Sequence, residues 1–271
     1  MGKTIGVISI KGGVGKTTVA TSIAADLANN HGKKVLLVDA NYSAPNVGLH
    51  MDIVSPVKTI HDVLVGKSRV ISAIHNRHGV DVIPGSFVYN KNVNYFKLKS
   101  RLDKVKDNYD FVIIDSSPTL NEEILSTMVA SDNLFVVTTP DYPTLVCSLR
   151  AAILAKQRGK PISGIILNKI RDPNYELSLN DIEDATEIPV VARIPDDKVS
   201  IRALFSGVPI PVYDKKSQFA KEVNRLSCAL INKKEEKGFW RNLFPLSLEK
   251  QEINRQVLRE DFYQSMFKDE E

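Results

Sequence analysis

The feature that most constrains the fold is a series of short apolar segments, rich in β-branched residues, that are mostly separated by helix-length stretches. They are continuous apolar runs rather than alternating ones, as strands buried on both faces of a parallel sheet are. We therefore predict an α/β fold: a doubly wound, mostly parallel sheet of about seven or eight strands. The predicted strands occupy residues 4–10, 34–39, 80–85, 110–115, 133–140, 161–168 and 188–194.

The chain divides into one large domain and a short tail. Its 271 residues and 43% hydrophobic content suffice for a single full core. After Ile231 the sequence becomes charged and amphipathic, so we predict a domain over residues 1–231 and a helical tail over 232–271. A last core helix is predicted near 214–231, where apolar residues recur three and four apart: Phe219, Val223, Leu226 and Leu230.

Charge and cysteine content narrow the function classes. A formal net charge of +4 is too mild to indicate a dedicated nucleic-acid binder, although it would not repel DNA or an anionic membrane. The two cysteines, Cys147 and Cys228, are far apart and lack a CxxC or histidine companion. This argues against a zinc site, a disulfide framework or an iron–sulfur carrier. The cysteine content therefore favours a reducing, intracellular protein, and the sequence shows neither an apolar run of about 18 residues nor a signal peptide.

The stretch ISIKGGVGKTT, residues 8–18, joins a predicted strand to a predicted helix through a glycine-rich turn. In such a phosphate loop, backbone N–H groups bind phosphate oxygens, Lys16 reaches the β- and γ-phosphates, and the Thr17 hydroxyl binds Mg²⁺. Ile10 stands where the general motif has its first glycine, and a glycine-rich turn that binds nothing is the alternative. The candidate nucleotide-binding residues are Gly12, Gly13, Val14, Gly15, Lys16, Thr17 and Thr18.

The octet KGGVGKTT resembles the deviant Walker A motif of the MinD/ParA family of P-loop ATPases, whose signature is the first lysine, here Lys11. The resemblance implies ATP and ADP as ligands, Mg²⁺ as cofactor, and a dimer with nucleotide sandwiched between the subunits. In that dimer, Lys11 would contact phosphate bound to the other subunit, so Lys11 and Lys16 are both candidate catalytic residues. A solvated loop lysine is the alternative for Lys11.

The segment YDFVIIDSSPTL, residues 109–120, is similar to the family's Walker B strand and switch II. The resemblance makes Asp115 a magnesium ligand candidate beside Thr17, although a strand-end aspartate can also simply cap a helix.

Two later segments resemble the family's base-binding region. In IILNKIRD, residues 165–172, Asn168 stands where the family reads adenine with a side-chain amide. In the segment over 193–210, Pro195 and Asp197 match residues of the loop that closes over the base. Either segment alone could be an ordinary strand–loop junction, but their order along the chain favours ATP over GTP.

The stretch DANYSAPN departs from the family pattern, which has Asp-x-Asp after the second strand. Asp39 matches the first acid, associated with Mg²⁺, and Asn46 matches a switch I asparagine. Asn41 replaces the second acid, which positions the attacking water. An amide can orient water but cannot take its proton as a carboxylate can, so we expect slow hydrolysis. A polar loop without a catalytic role is the alternative.

The tail contains a short amphipathic element with basic flanks, typical of helices that lie in a bilayer interface. It is similar to the membrane-targeting helix of MinD-like proteins, although Pro245 ends it early and further residues follow. Packing of its apolar face on this domain or on a partner is the alternative. The candidate membrane-binding residues share one helical face: Phe239, Trp240, Leu243 and Phe244.

The resemblance implies a MinD-like ATPase that dimerises on binding ATP and couples its nucleotide state to membrane attachment, for spatial positioning in cell division or a similar process. We expect it in the cytoplasm, peripherally associated with the inner face of the cell membrane. Expected partners are a second copy, the membrane and an activating protein. Two alternatives stay open: a ParA-like partition ATPase that binds DNA non-specifically, which the lack of a basic stripe disfavours, and a non-hydrolysing, ATP-dependent scaffold.

Overall fold

A computed structural model describes residues 2–89, 93–160, 162–172 and 174–231. Within them, eight strands form a single sheet, which confirms the predicted fold class. The strands are β1 (Lys3–Ile8), β2 (Val35–Ala40), β3 (His75–Arg77), β4 (Val80–Ile83), β5 (Phe111–Ser116), β6 (Asn133–Thr138), β7 (Ile162–Ile170) and β8 (Val190–Pro195). The predicted tail lies outside the described residues.

The sheet has the order β3-β4-β2-β5-β1-β6-β7-β8. Neighbouring strands run parallel except for β3, which pairs antiparallel with β4. The segment HNR of β3 carries no apolar pattern, so this edge strand could not be predicted from the sequence. The other seven strands are those that the sequence predicted, with ends shifted by a few residues.

Helices cover both faces of the sheet. They are α1 (Lys16–His31), α2 (Val47–His50), α3 (Ile60–Leu64), α4 (Lys97–Leu102), α5 (Glu122–Ala130), α6 (Tyr142–Gln157), α7 (Leu179–Thr186), α8 (Val199–Phe205), α9 (Ile210–Tyr213) and α10 (Gln218–Leu230). The last of these is the predicted terminal helix. It begins after Ser217, whose hydroxyl accepts a hydrogen bond from the backbone N–H of Ala220 at 3.1 Å.

The alternation of side chains along each strand builds the core on both faces. Leu37 of β2 packs with α1 and α10 in one cluster, whereas Leu36 and Val38 pack with α3 and α4 in another. Both sides of β2 are therefore apolar, which explains the continuous apolar runs in the sequence. Because the parallel strands all end at one edge of the sheet, the loops that follow β1, β2, β5, β6, β7 and β8 gather there.

Candidate functional site

The turn between β1 and α1 has an open conformation that depends on glycine. Gly13 and Gly15 have φ angles of 80° and 87°, where other residues are strained. Val14, between them, buries its side chain in the core and anchors the turn. A Cβ atom on Gly12 or Gly13 would meet nothing within 4 Å, so this part of the turn has space around it.

The same turn carries unused hydrogen-bond donors. Among the described residues, none accepts a hydrogen bond from the backbone N–H groups of Gly12 through Thr18. These groups surround the start of α1, where the helix dipole is positive. Free N–H groups, open space and a helix N-terminus together fit phosphate oxygens. The predicted nucleotide-binding residues thus form one anion cradle.

The carboxylate of Asp115 lies beside this cradle because β1 and β5 are neighbours, with Val7 opposite Asp115. Asp115 Oδ1 accepts a hydrogen bond from Lys16 Nζ at 2.9 Å, and Oδ2 accepts one from Thr17 Oγ1 at 2.7 Å. Lys16 also donates to the carbonyl of Ser116. The Lys16–Asp115 ion pair is buried. The structure therefore brings together the three side chains that the sequence predicted for phosphate and magnesium.

A second carboxylate stands next to the first, since Asp39 at the end of β2 pairs in register with Asp115. Asp39 accepts backbone N–H groups from the loop that follows it, including those of Asn41 at 3.1 Å and Asn46 at 3.0 Å. Burial, and then the charge of Asp115, raise the pKa of Asp39 to about 7. A divalent cation near both carboxylates would offset their repulsion, and oxygen ligands suit Mg²⁺.

These ligands would hold a metal only together with other oxygen atoms. In the part of the chain that the structure describes, no group of three or more His, Cys, Asp or Glu side chains is placed to bind a metal ion. Magnesium in phosphate-loop sites keeps several waters and uses phosphate oxygens besides one or two protein ligands. Thr17, Asp39 and Asp115 therefore fit Mg²⁺ that arrives with a nucleotide.

The side chain of Asn41 is buried and only partly used. Its Nδ2 donates to the carbonyl of Ala44 at 2.6 Å and closes the turn after β2. Its Oδ1 is buried with no hydrogen-bond partner among the described residues. A buried acceptor without a partner is costly, and such atoms are found where a water or ligand binds. The structure thus gives Asn41 a structural role and leaves it one free acceptor.

Lys11 turns back onto its own chain. Its Nζ lies 3.2 Å from Asp141 Oδ1 and donates to Thr144 Oγ1 at 2.7 Å. Although partial burial opposes it, hydrogen bonds from Thr139, Thr144 and Lys11 hold the pKa of Asp141 below its ordinary value. Asp141 also accepts the backbone N–H of Thr144 and so caps α6. Lys11 thus pairs with a carboxylate of its own chain.

The residues predicted for the base lie at the ends of β7 and β8. Asn168 is buried, and its Nδ2 donates to the carbonyl of Val14 at 2.7 Å, which ties it to the phosphate loop. Pro195 is the last residue of β8. The carboxylate of Asp197 accepts the backbone N–H of Val199 at 2.9 Å at the start of α8. Of the three, Asn168 makes a direct contact with the phosphate loop.

Two contacts at the site were not predicted from the sequence. Asp141, the partner of Lys11, lies 130 residues further along the chain. The segment PDYPT could have identified it as a helix cap, because an aspartate followed by proline in the first turn is typical of a helix start. Lys169, whose Nζ donates to the carbonyl of Gly13 at 2.7 Å, had no sequence signal.

The described residues contain no helix that is long and apolar enough to cross a membrane. The predicted membrane-binding residues of the tail, Phe239, Trp240, Leu243 and Phe244, lie outside the described residues.

Known proteins resemble this chain over most of its length. Residues 2–148 match the AAA domain family. An uncharacterized ATP-binding protein of Methanocaldococcus jannaschii is 32% identical over 235 residues, which cover 86% of this chain and 89% of that protein. The septum site-determining protein MinD of a Synechocystis strain is 28% identical over 80% of this chain and 85% of its own length.

Two solved structures have the same fold and similar sequences. The cell division ATPase MinD of Pyrococcus furiosus superposes with a TM-score of 0.79 at 30% identity, over 86% of this chain and 99% of that one. The septum site-determining protein MinD of Pyrococcus horikoshii, solved as a complex with Mg-ADP, superposes with a TM-score of 0.78 at 28% identity, over 85% and 96% of the two chains.

Proposed function

Since this chain belongs to the MinD/ParA family of P-loop ATPases, we propose that it binds ATP with Mg²⁺, dimerises in that state and hydrolyses ATP slowly. Its tail would couple this cycle to membrane attachment. One observation carries the proposal: a phosphate loop with free N–H groups meets the side chains of Lys16, Thr17 and Asp115 at one edge of the sheet.

The residues around the cradle would divide the binding of Mg-ATP among them. Lys16 would exchange Asp115 for the β- and γ-phosphates, which are better partners for an ammonium group at this position. Thr17 and Asp115 would then hold the metal, with Asp39 on its water shell. Bound Mg²⁺ supplies neutralisation of the phosphate charge. Lys16 and Thr17 both contact the Asp115 carboxylate, so this exchange would free that carboxylate for the metal.

The Asn168 amide keeps free groups for adenine. One Nδ2 hydrogen is donated to Val14, so the Oδ1 acceptor and the second Nδ2 hydrogen remain for a base. This pair of groups matches the amino group of adenine and the ring nitrogen beside it, which are a donor and an acceptor. Pro195 and Asp197, at the end of β8, would line the same side of the pocket.

Hydrolysis would depend on the buried amide of Asn41. Its free Oδ1 can accept a hydrogen bond from the attacking water and orient it, but it does not remove a proton at neutral pH. Phosphoryl transfer rests mainly on positioning and on charge stabilisation, so activity is retained at a low rate. A slow step would give the ATP-bound state a long life.

Lys11 would make dimerisation depend on ATP. In the single chain it pairs with Asp141, and in the dimer it would leave that carboxylate for a phosphate bound to the second subunit. Exposed ion pairs of this kind are worth only about 0–1 kcal/mol, so phosphate can displace Asp141. The side chain is thus held near the site and remains free to move.

The tail would attach the dimer to the inner face of the cell membrane for spatial positioning in cell division or a similar process. The sequence of the tail predicts a short aromatic face with basic flanks. Two weakly binding tails on one dimer bind far more tightly than one, because the second engages at a high effective concentration. ATP-driven dimerisation would therefore control membrane attachment, and an activating protein could end it.

Light scattering with ATP and with ADP tests the core of this proposal. The wild-type chain should dimerise with Mg-ATP and remain monomeric with Mg-ADP. Lys11→Ala should bind ATP in calorimetry but stay monomeric, whereas Lys16→Ala should bind no nucleotide. ATP-dependent dimers of Lys11→Ala equal to those of the wild type would contradict the role of this lysine across the interface.

Co-sedimentation with anionic liposomes and with DNA tests the attachment. We expect ATP-dependent binding to liposomes and none to DNA. Binding to DNA alone would replace the membrane role with that of a partition ATPase.

A further inference from the structure

The end of β7 departs from regular strand geometry beside the phosphate loop. Lys169 has a φ angle of 58°, in the left-handed region that residues other than glycine occupy at a cost in stability. The pairing of β7 with β8 shifts its register between Leu167 and Ile170, the interval that contains Lys169. Irregular strand geometry re-aims side chains and is common next to functional sites, so this departure calls for a functional reason.

The irregular geometry brings two successive side chains to one loop. Asn168 Nδ2 donates to the carbonyl of Val14, and Lys169 Nζ donates to the carbonyl of Gly13, both at 2.7 Å. In a regular strand, successive side chains point to opposite faces of the sheet, so only one of them could reach the loop. The left-handed conformation of Lys169 therefore supplies the second contact.

These two hydrogen bonds determine which way the peptide groups of the loop point. In a trans peptide, the carbonyl of one residue and the N–H of the next point in opposite directions. Because the carbonyls of Gly13 and Val14 turn toward β7, the N–H groups of Val14 and Gly15 turn away from it. Neither N–H donates a hydrogen bond within the described residues, so both are available to an anion.

We propose that Lys169 is a positioning residue for the nucleotide. Its ammonium group holds the Gly13 carbonyl away from the anion cradle, so the loop presents N–H groups to the phosphates before ATP arrives. A released carbonyl could turn its negative end toward the phosphates and weaken binding. This inference rests on the proposed function, since it concerns the same ATP site. The end of β7 would then contribute to base recognition through Asn168 and to the shape of the phosphate loop through Lys169.

Calorimetric titration of the full chain with Mg-ATP and Mg-ADP tests the inference. Lys169→Met keeps most of the side-chain length without the charge. It should bind both nucleotides about tenfold more weakly, which corresponds to about 1.4 kcal/mol and is typical of a lost charge-assisted hydrogen bond. Lys169→Arg should restore most of the affinity.

Lys160→Met is the matched control. Lys160 Nζ also donates to a backbone carbonyl, that of Ser131 at 2.8 Å, but it precedes β7 and so lies at the other end of that strand. This variant should bind ATP as tightly as the wild type.

Lys169→Gly separates the effect of the ammonium group from that of the strained backbone. Glycine adopts the left-handed conformation without steric strain, and this gain offsets the lost hydrogen bond and the greater freedom of the unfolded chain, so the melting temperature of this variant measured without nucleotide should stay close to that of the wild type. Its ATP affinity should nevertheless fall as in Lys169→Met, since the ammonium group is gone.

Unchanged ATP affinity in Lys169→Met would overturn the inference. So would an affinity loss that arginine does not restore and that follows a fall in melting temperature, because lost folding would then explain it. A wild-type chain that binds no ATP would overturn the proposed function, and this inference with it.

Discussion

Replacing Gly15 with alanine should destabilise the ligand-free protein through the phosphate loop. Gly15 has a φ angle of 87°, and a left-handed backbone costs a non-glycine residue about 1–2 kcal/mol. The added Cβ would stand 2.3 Å from Asn168 Nδ2. The amide must then move and lose its hydrogen bond to Val14, which costs about 1 kcal/mol. Alanine also restricts the unfolded chain, which stabilises the folded protein by about 0.5 kcal/mol. We therefore expect the free energy of unfolding to fall by about 2 kcal/mol in total.

Urea unfolding followed by circular dichroism measures this loss without any ligand. Gly12→Ala is the matched control, because Gly12 lacks a left-handed φ and its added Cβ would meet nothing within 4 Å. We expect its free energy of unfolding to stay within about 0.5 kcal/mol of the wild type.

A double-mutant cycle with Asn168→Ala separates the two terms for Gly15→Ala. In the Asn168→Ala background the clash is absent, so the alanine at position 15 should cost only its backbone strain, about 1 kcal/mol less than in the wild-type background. Equal unfolding midpoints for Gly15→Ala and Gly12→Ala would refute the reasoning, since neither the φ angle nor the contact with Asn168 would then matter.

Three further substitutions test the proposed cycle of ATP binding, dimerisation and membrane attachment. Asp141→Asn keeps the cap of α6 but removes the charge that holds Lys11, so ATP-dependent dimers should form at up to about fivefold lower protein concentration in light scattering; an unchanged or higher threshold would contradict this. Asn41→Asp should raise the single-turnover hydrolysis rate by about 10²–10⁴-fold with nearly unchanged ATP affinity, and a rate insensitive to both Asp and Ala here would remove the residue from the mechanism. Trp240→Glu, or truncation at Lys237, should release the protein from anionic liposomes, because burial of apolar surface in the membrane contributes roughly 25 cal/mol per Å². ATP-dependent dimerisation should be unaffected. Wild-type protein that never co-sediments with liposomes under ATP would contradict the membrane role.

Local chemistry made much of the fold and the site predictable from the sequence. Continuous apolar runs mark strands buried on both faces, and the predicted strand that ends at Asp115 lies at the centre of the sheet as β5. The spacing of glycines, Lys16 and Thr17 within one turn is enough to predict a phosphate cradle, because all its members belong to one continuous segment. The polar edge strand β3 was not predicted, because its own residues carry no strand pattern and its pairing with β4 depends on where the folded chain places it.

Contacts between distant segments could be seen only in the folded chain. The order of the strands puts β5 between β1 and β2, and only this order brings Asp39, Asp115 and Lys16 together. Lys11 meets a carboxylate 130 residues away, and a left-handed backbone aims Lys169 at the phosphate loop. The fold class and the candidate phosphate-binding residues therefore followed from patterns within continuous segments of the sequence. Their partners, and the direction in which the loop presents its N–H groups, depend on side chains that folding brings close in space but that are far apart along the chain.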